Sequence, residues 1–268
     1  MGGGLAPRQV TKKKKNATGA GAGSEALEGD NVDLTLSVLA ALTNVLVEES
    51  ARVAAADTDA VARLLRLLGE SGPAAIPARA ASALSRLARM PTVASALLAD
   101  GGHGGAAAVA QFVASHVETL PPALPAAPAA GIKAEAVAAA EEGAAGAWDA
   151  GVRTLAVLIA SSDTGARTML AGCAAATLVS CVAAAGATDR IVGNAALAIA
   201  DLGKEASLLP LLALLQPIAP LLKACHERTG AAQKNAAIAC ARLAHHPPML
   251  ATLKENNGLE LIYRYVKP

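Results

Sequence analysis

At 268 residues and a formal net charge of +1, the chain is long enough to bury a substantial core and carries no broad field favouring nucleic acid or an anionic membrane. Hydrophobic residues make up 53% of it but aromatics only 1%, and alanine dominates, the bias of close-packed helices. The residues that strands prefer are scarce, so an all-α protein is expected over a sheet-based one.

Residues 1 to about 30 read as a disordered Gly/Ala/Lys head. MGGGLAPRQV has no apolar region of the kind a secretory signal needs, and Ala6 breaks the myristoylation pattern. The first acid is Glu25, which leaves an organellar transit segment open. Lys12, Lys13, Lys14 and Lys15 form the one basic run. They are expected to be a solvated tail, with an arm that holds an acidic surface or RNA as the alternative.

From residue 31 onward one pattern recurs. VGNAALAIADL around Asn194 nearly repeats as QKNAAIACARL around Asn235, about forty residues on. Behind each Asn, apolar residues fall at i, i+3, i+4 and i+7, one face of a helix. In chain order the stripe is Thr35, Val38, Leu39 and Leu42; then Ala80, Ala83, Leu84 and Leu87; then Gly151, Thr154, Leu155 and Leu158. The last two copies are Ala195, Ala198, Ile199 and Leu202, and Ala236, Ala239, Cys240 and Leu243. Small residues let neighbouring helix axes approach, while Leu and Ile fill the layer between units.

Each stripe is followed by a short amphipathic stretch and a second apolar helix, starting near Ala60, Ala107, Ala176, Ile218 and Gly258. The intervening stretches TVASALLADGG, GARTMLAGC and PMLATLKENNG end in Gly or Asn, which predicts a left-handed cap and a turn in each. The unit is therefore a helix triplet of about forty residues that must stack to bury its faces. One interval is too long, and the excess lies at about 119–146. Its Pro/Ala-rich first half reads as an extended surface excursion and its second half as a helix leading into the third copy. Asn194 and Asn235, each just ahead of a stripe, are expected to be helix N-caps.

A triplet whose last helix carries NAA-x-A-apolar-A-x-L resembles the armadillo repeat, close to HEAT repeats, over about Asp33 to Val266. The resemblance implies a right-handed α-solenoid of about five triplets, incomplete at both ends, with last helices lining the concave side. Peptide-binding armadillo proteins place a Trp and, one turn later, a peptide-clamping Asn on that helix. Here the Trp positions hold Ser37, Ser82, Arg153, Leu197 and Ile238, and the Asn positions hold Ala41, Arg86, Val157, Asp201 and Arg242. The Asn ladder is absent, which argues against an importin-like mechanism. Arg86, Arg153, Asp201 and Arg242 become the expected groove residues, and Tyr263 and Tyr265 the expected contacts at the final end. The closing stretch from Lys234 is also loosely similar to the C-terminal armadillo portion of tetratricopeptide/armadillo proteins of ciliary dynein assembly.

Chemistry is sparse. Cys173, Cys181, Cys225 and Cys240 show no CxxC spacing and read as buried thiols of a reducing, cytosolic-type compartment, with cilium or axoneme implied only by the second resemblance. His226, His245 and His246 lie near cysteines without tetrahedral zinc spacing. ADGGHGGAAAV lacks the P-loop lysine and follows no strand. No catalytic residue, cofactor, metal or membrane span is expected. The expected function is a non-catalytic scaffold or adaptor, a structural subunit of a larger assembly with other proteins as partners. An organellar or RNA-associated helical-repeat subunit using the basic head is the alternative.

Overall fold

The computed structural model describes residues 21–69, 73–99, 104–119 and 134–265, with side chains from residue 31 onward outside 119–144. Among the described residues the chain is helical with no strand. The helices in order are α1 (Gly21–Val45), α2 (Glu49–Ala56), α3 (Ala60–Gly69), α4 (Ala75–Leu87), α5 (Pro91–Leu98), α6 (Gly105–Thr119) and α7 (Ala134–Ser161). They continue with α8 (Thr164–Ala183), α9 (Asp189–Leu202), a 3-10 turn at Ala206–Leu208, α10 (Leu209–Leu214), α11 (Ile218–Glu227), α12 (Gly230–Leu243), α13 (Pro247–Glu255) and α14 (Gly258–Tyr265).

These elements form two layers. In one, α1 packs on α4, α4 on α7, α7 on α9, α9 on α12 and α12 on α14. In the other, α3 packs on α6, α6 on α8 and α8 on α11. Each unit is closed by its own pair, α3 on α4, α6 on α7, α8 on α9 and α11 on α12. The architecture is an α-solenoid, in which each unit touches mainly its neighbours and the core runs as one strip between the layers. The stripe residues build that strip. All four are buried in each of α4, α7, α9 and α12.

The first copy departs from the rest. Of its stripe only Leu39 is fully buried, and Val38 is 56% exposed where its counterparts Ala83, Thr154, Ala198 and Ala239 are closed. A stripe residue needs a helix on each side, and α1 has one only on the α4 side among the described residues.

Element ends follow local chemistry. Proline at the first turn opens α5 and α13, where its missing N–H costs nothing. Asp163 caps α8 by accepting from the Ala166 N–H at 2.8 Å. Arg52 of α2 donates to the Leu46 and Val47 carbonyls at the end of α1. Asn257 sits in the left-handed region at φ 54° and turns α13 into α14. Gln216 does the same at φ 50°, and with Pro217 it sets α11 at 84° to the helical segment before it.

Three sequence expectations change here. Gly172 does not cap a turn. It lies inside α8, which runs unbroken from Thr164 to Ala183 and fuses the expected short stretch with the helix expected from Ala176, because nothing from Thr164 to Ala183 breaks a helix as proline would. That helix is also long and apolar enough, by length and composition, to cross a membrane. In this fold it buries Leu170, Ala174, Leu178 and Cys181 between α6, α9 and α11.

Second, α1 begins at Gly21, inside the segment expected to be a disordered head; the run Ser24 to Glu28 is rich in helix formers. Residues 1–20, including Lys12 to Lys15, lie outside the described residues, as do 120–133 of the expected surface excursion. The helical second half of that insertion is present, since α7 starts at Ala134, well ahead of its stripe.

Third, neither Asn194 nor Asn235 is an N-cap. Thr188 caps α9, accepting from the Ile191 N–H at 3.4 Å, and Asn194 lies a full turn inside. Asn235 likewise lies within α12, whose N-terminal flank is Thr229. Both helices start earlier than their stripes because DRIVG and GAAQK carry no helix breaker beyond the Gly230 that opens α12 at φ 59°.

Candidate interaction face

The misread asparagines lead to the polar structure of the α4–α7–α9–α12 layer. Asn235 Nδ2 donates to the Gly193 carbonyl at 2.9 Å, and Asn194 Nδ2 donates to Asp149 Oδ1 at 3.3 Å. The register is the same twice: each Asn reaches the residue just before its own counterpart one unit upstream. Close approach makes the reach feasible. A Cβ on Gly193 would meet the Ala232 backbone at 3.3 Å, so α9 and α12 lie close together there. The repeated NAA phrase thus ties units together, where capping would have served a single helix.

A second tie lies seven residues further along each helix. Arg242 donates to Asp201 Oδ1 at 2.7 Å, and Lys204 meets the same oxygen at 2.7 Å. These are the expected groove residues Asp201 and Arg242, but Asp201 is only 5% exposed, so it is committed to holding units together. Truncating one partner of such a pair costs stability, because a buried charge is left poorly matched. Further cross-unit pairs, Arg167 with Glu205 at 2.6 Å and Arg228 with Asp189 at 3.2 Å, run along the sides.

The other two expected groove residues, Arg86 of α4 and Arg153 of α7, come together in a different setting. Their hub is Asp149, which sits between Trp148 and the Gly151 stripe and is almost fully buried. Its Oδ2 lies 3.0 Å from the Arg190 guanidinium and 4.0 Å from that of Arg153. Burial holds the Arg153 guanidinium below its ordinary value; Asp149 partly offsets this, while Arg190, Arg86 and Arg89 push it down further. Arg190 and Arg153 therefore share one carboxylate, with Arg86 and Arg89 adding positive charge around Arg153. Arg153 Nε is buried without a hydrogen-bond partner, and neither Arg86 nor Arg89 makes an ion pair among the described residues.

Sequence reasoning found Arg86 and Arg153 and missed Arg89, Arg190 and Asp149. The signal for Asp149 was present as the i, i+4 pair in AWDAGVR, an acid and a base on one face of an alanine-rich helix. Arg190 carried no such signal, since its partner is remote in sequence.

No family model and no curated protein matches the chain. Among solved structures it is similar to an engineered protein whose crystal structure came from the Northeast Structural Genomics Consortium, with a TM-score of 0.60 and 19% identity over 87% of this chain and 82% of that one. This likeness is one of fold. It extends the helical-repeat description over most of the chain and carries no residue role.

At the far end the expected contact pair divides. Tyr265 packs against the core, while Tyr263 on the same helix is 76% exposed. The thiols are not bonded to one another; Cys181, Cys225 and Cys240 are buried and Cys173 is half-buried. Trp148 Nε1 donates to Cys181 Sγ at 3.3 Å, which places the single tryptophan of the chain in the core between α7 and α8.

Proposed function

We propose that this protein is a non-catalytic, armadillo-type interaction scaffold that presents the outer face of the α4–α7–α9–α12 layer to another protein within a larger assembly. The observation carrying this reading is the arginine cluster on a layer that is otherwise internally satisfied. Asp201, Arg242, Asn194 and Asn235 hold units in register and Asp149 pairs with Arg190 and Arg153, whereas Arg86 and Arg89 make no ion pair among the described residues, so positive charge is in surplus here. A net charge of +1 over the whole chain makes that surplus local. Positive residues fixed on rigid helices give partner selectivity and fast encounter more than bulk affinity.

The positions where peptide-binding armadillo proteins place their clamping Asn hold Ala41, Arg86, Val157, Asp201 and Arg242, so recognition here runs through side-chain charge, with no ladder of backbone clamps. The similarity of the closing stretch to ciliary dynein-assembly proteins points the search for partners toward ciliary or axonemal assemblies first. The test is affinity recovery of the tagged full chain from cells, quantified by mass spectrometry, against an Arg86→Glu/Arg89→Glu protein with unchanged Trp148 emission. Loss of the partners recovered by the parent is expected; equal recovery overturns the face.

A further inference from the structure

At the end of the layer opposite α14, α1 carries two apolar lines one residue apart. On the inner line Leu39 and Leu46 are buried and Leu42 packs on the core. On the outer line Leu34, Val38, Ala41 and Val45, each one residue earlier and so about 100° round the helix, are all exposed. They are spaced four, three and four residues apart, the seam by which one helix packs lengthwise on another. In the four later copies the residue matching Val38 is closed between neighbouring helices of the layer, as Ala83, Thr154, Ala198 and Ala239. A helix is therefore the element that fits this position.

We infer that this seam takes an amphipathic helix of a partner protein, apolar along one side and rich in lysine or arginine beside it, packed lengthwise on α1. Charge selects the occupant. The helix α1 contains Glu25, Glu28, Asp30 and Asp33 with no lysine or arginine, and Glu48 and Glu49 follow at the turn into α2. Asp33, Glu48 and Glu49 are exposed and make no ion pair among the described residues. The nearby base, Arg52, is engaged by the Leu46 and Val47 carbonyls. Charges beside a helical seam set partner choice, while the apolar residues supply the burial. The seam shares no residue with the arginine cluster, so it is a second surface beyond the adaptor reading above.

Other occupants fit less well. A second copy of this chain would set two acidic helices without a base against each other, and like charges across an interface oppose it. The chain's own Lys12 to Lys15 have the right charge, but between Arg8 and Asn16 Val10 is the only apolar side chain, too little for four seam positions. An anionic membrane surface is repelled by the same acids. From Leu34 to Val45 the seam runs about 16 Å at 1.5 Å per residue, so a partner helix of about twelve to sixteen residues covers it.

The experiment measures fluorescence anisotropy of a labelled helical peptide of about sixteen residues, with leucine along a seam and lysine beside it, as the full chain is titrated in. Two controls replace lysine by glutamate, or keep the composition and disperse the leucines around the helix. The seam peptide is expected to bind, to weaken as salt rises and to slow hydrogen exchange within 31–56; both controls are expected to bind about tenfold more weakly or worse. Leu34→Ser/Val38→Ser, at two exposed positions, is expected to lower affinity about tenfold with unchanged Trp148 emission. Asp33→Asn/Glu48→Gln is expected to lower it about fivefold and to flatten the salt dependence. Arg86→Glu/Arg89→Glu is expected to retain the peptide, which separates this surface from the arginine cluster. Equal binding of the dispersed control, parent-like binding by the Leu34/Val38 variant, or peptide loss in the Arg86/Arg89 variant overturns the inference. So does a dimer of the free chain in sedimentation velocity that the Leu34/Val38 variant abolishes, which assigns the seam to a second copy. Tighter peptide binding after Lys12 to Lys15 are replaced by Ala likewise overturns it, in favour of the chain's own head.

Discussion

The thiol of Cys181 shows at the residue scale how an alanine-rich core constrains chemistry. Burial pushes it up from 9.0 to about 12, with the Trp148 N–H opposing the shift only in part. Because the folded value lies above the unfolded one, the associated stability is fully present below pH 9 and is lost as pH rises toward 12, where the unfolded chain gives up the proton first. The full difference is on the order of 4 kcal/mol. Chemical denaturation followed by circular dichroism between pH 8 and 11 is expected to show a shallower fall in stability for Cys181→Ala than for the parent. The slopes decide, since the cavity left by the substitution lowers both ends of the curve alike; identical slopes contradict the assignment.

Among the elements, α8 is the one whose continuity was not legible. GARTMLAGC ends in a glycine, as a helix-capping stretch should, yet Gly172 is exposed, right-handed and has nothing within 4 Å of where a Cβ would stand. Gly172→Ala should therefore raise stability by about 0.5–1 kcal/mol, through reduced backbone freedom of the unfolded chain. Had the residue been a left-handed cap, the same change would lower stability. Urea midpoints of the two proteins distinguish the cases directly. Gly193→Ala makes a contrast within the same layer, because its Cβ presses on the Ala232 backbone and α9 and α12 would have to separate.

On the scale of the whole molecule, a stack held by nearest-neighbour ties should open from its least supported end. That end is α1–α2. Leu34, Val38, Val45, Val47 and Val53 are exposed there, and α2 buries no residue at all. By contrast α9 buries ten of its residues and is tied on both sides through Asn194, Asn235 and Asp201. Native-state hydrogen exchange is expected to show amides of 31–56 exchanging through local opening while those of α9 and α12 exchange only with global unfolding. Uniform protection along the chain would mean that the units fold as one block and that the ends are supported by something other than their own packing.

Much of this architecture was written in local order. The stripe at i, i+3, i+4 and i+7 marked five helices because burial of one face imposes the helical period on the residues that line it. The long interval before Ala150 marked the insertion for the same reason, and alanine at the stripe positions marked close stacking. Partnerships across units were not legible. Asn194 could have capped its own helix, and only the packing of α9 on α7 brought its amide to Asp149. Asp201 and Arg242 read as separate groove residues, and only the stack brought them together as a pair; Arg190 and Arg89 joined Arg86 and Arg153 only when α4, α7 and α9 lay side by side. Sequence alone determined which residues are helical and which face is apolar, since both depend on neighbours a turn away. Which charges cancel and which are left over was decided by the tertiary structure, since electrostatic pairing depends on distances of a few ångströms between residues about forty positions apart.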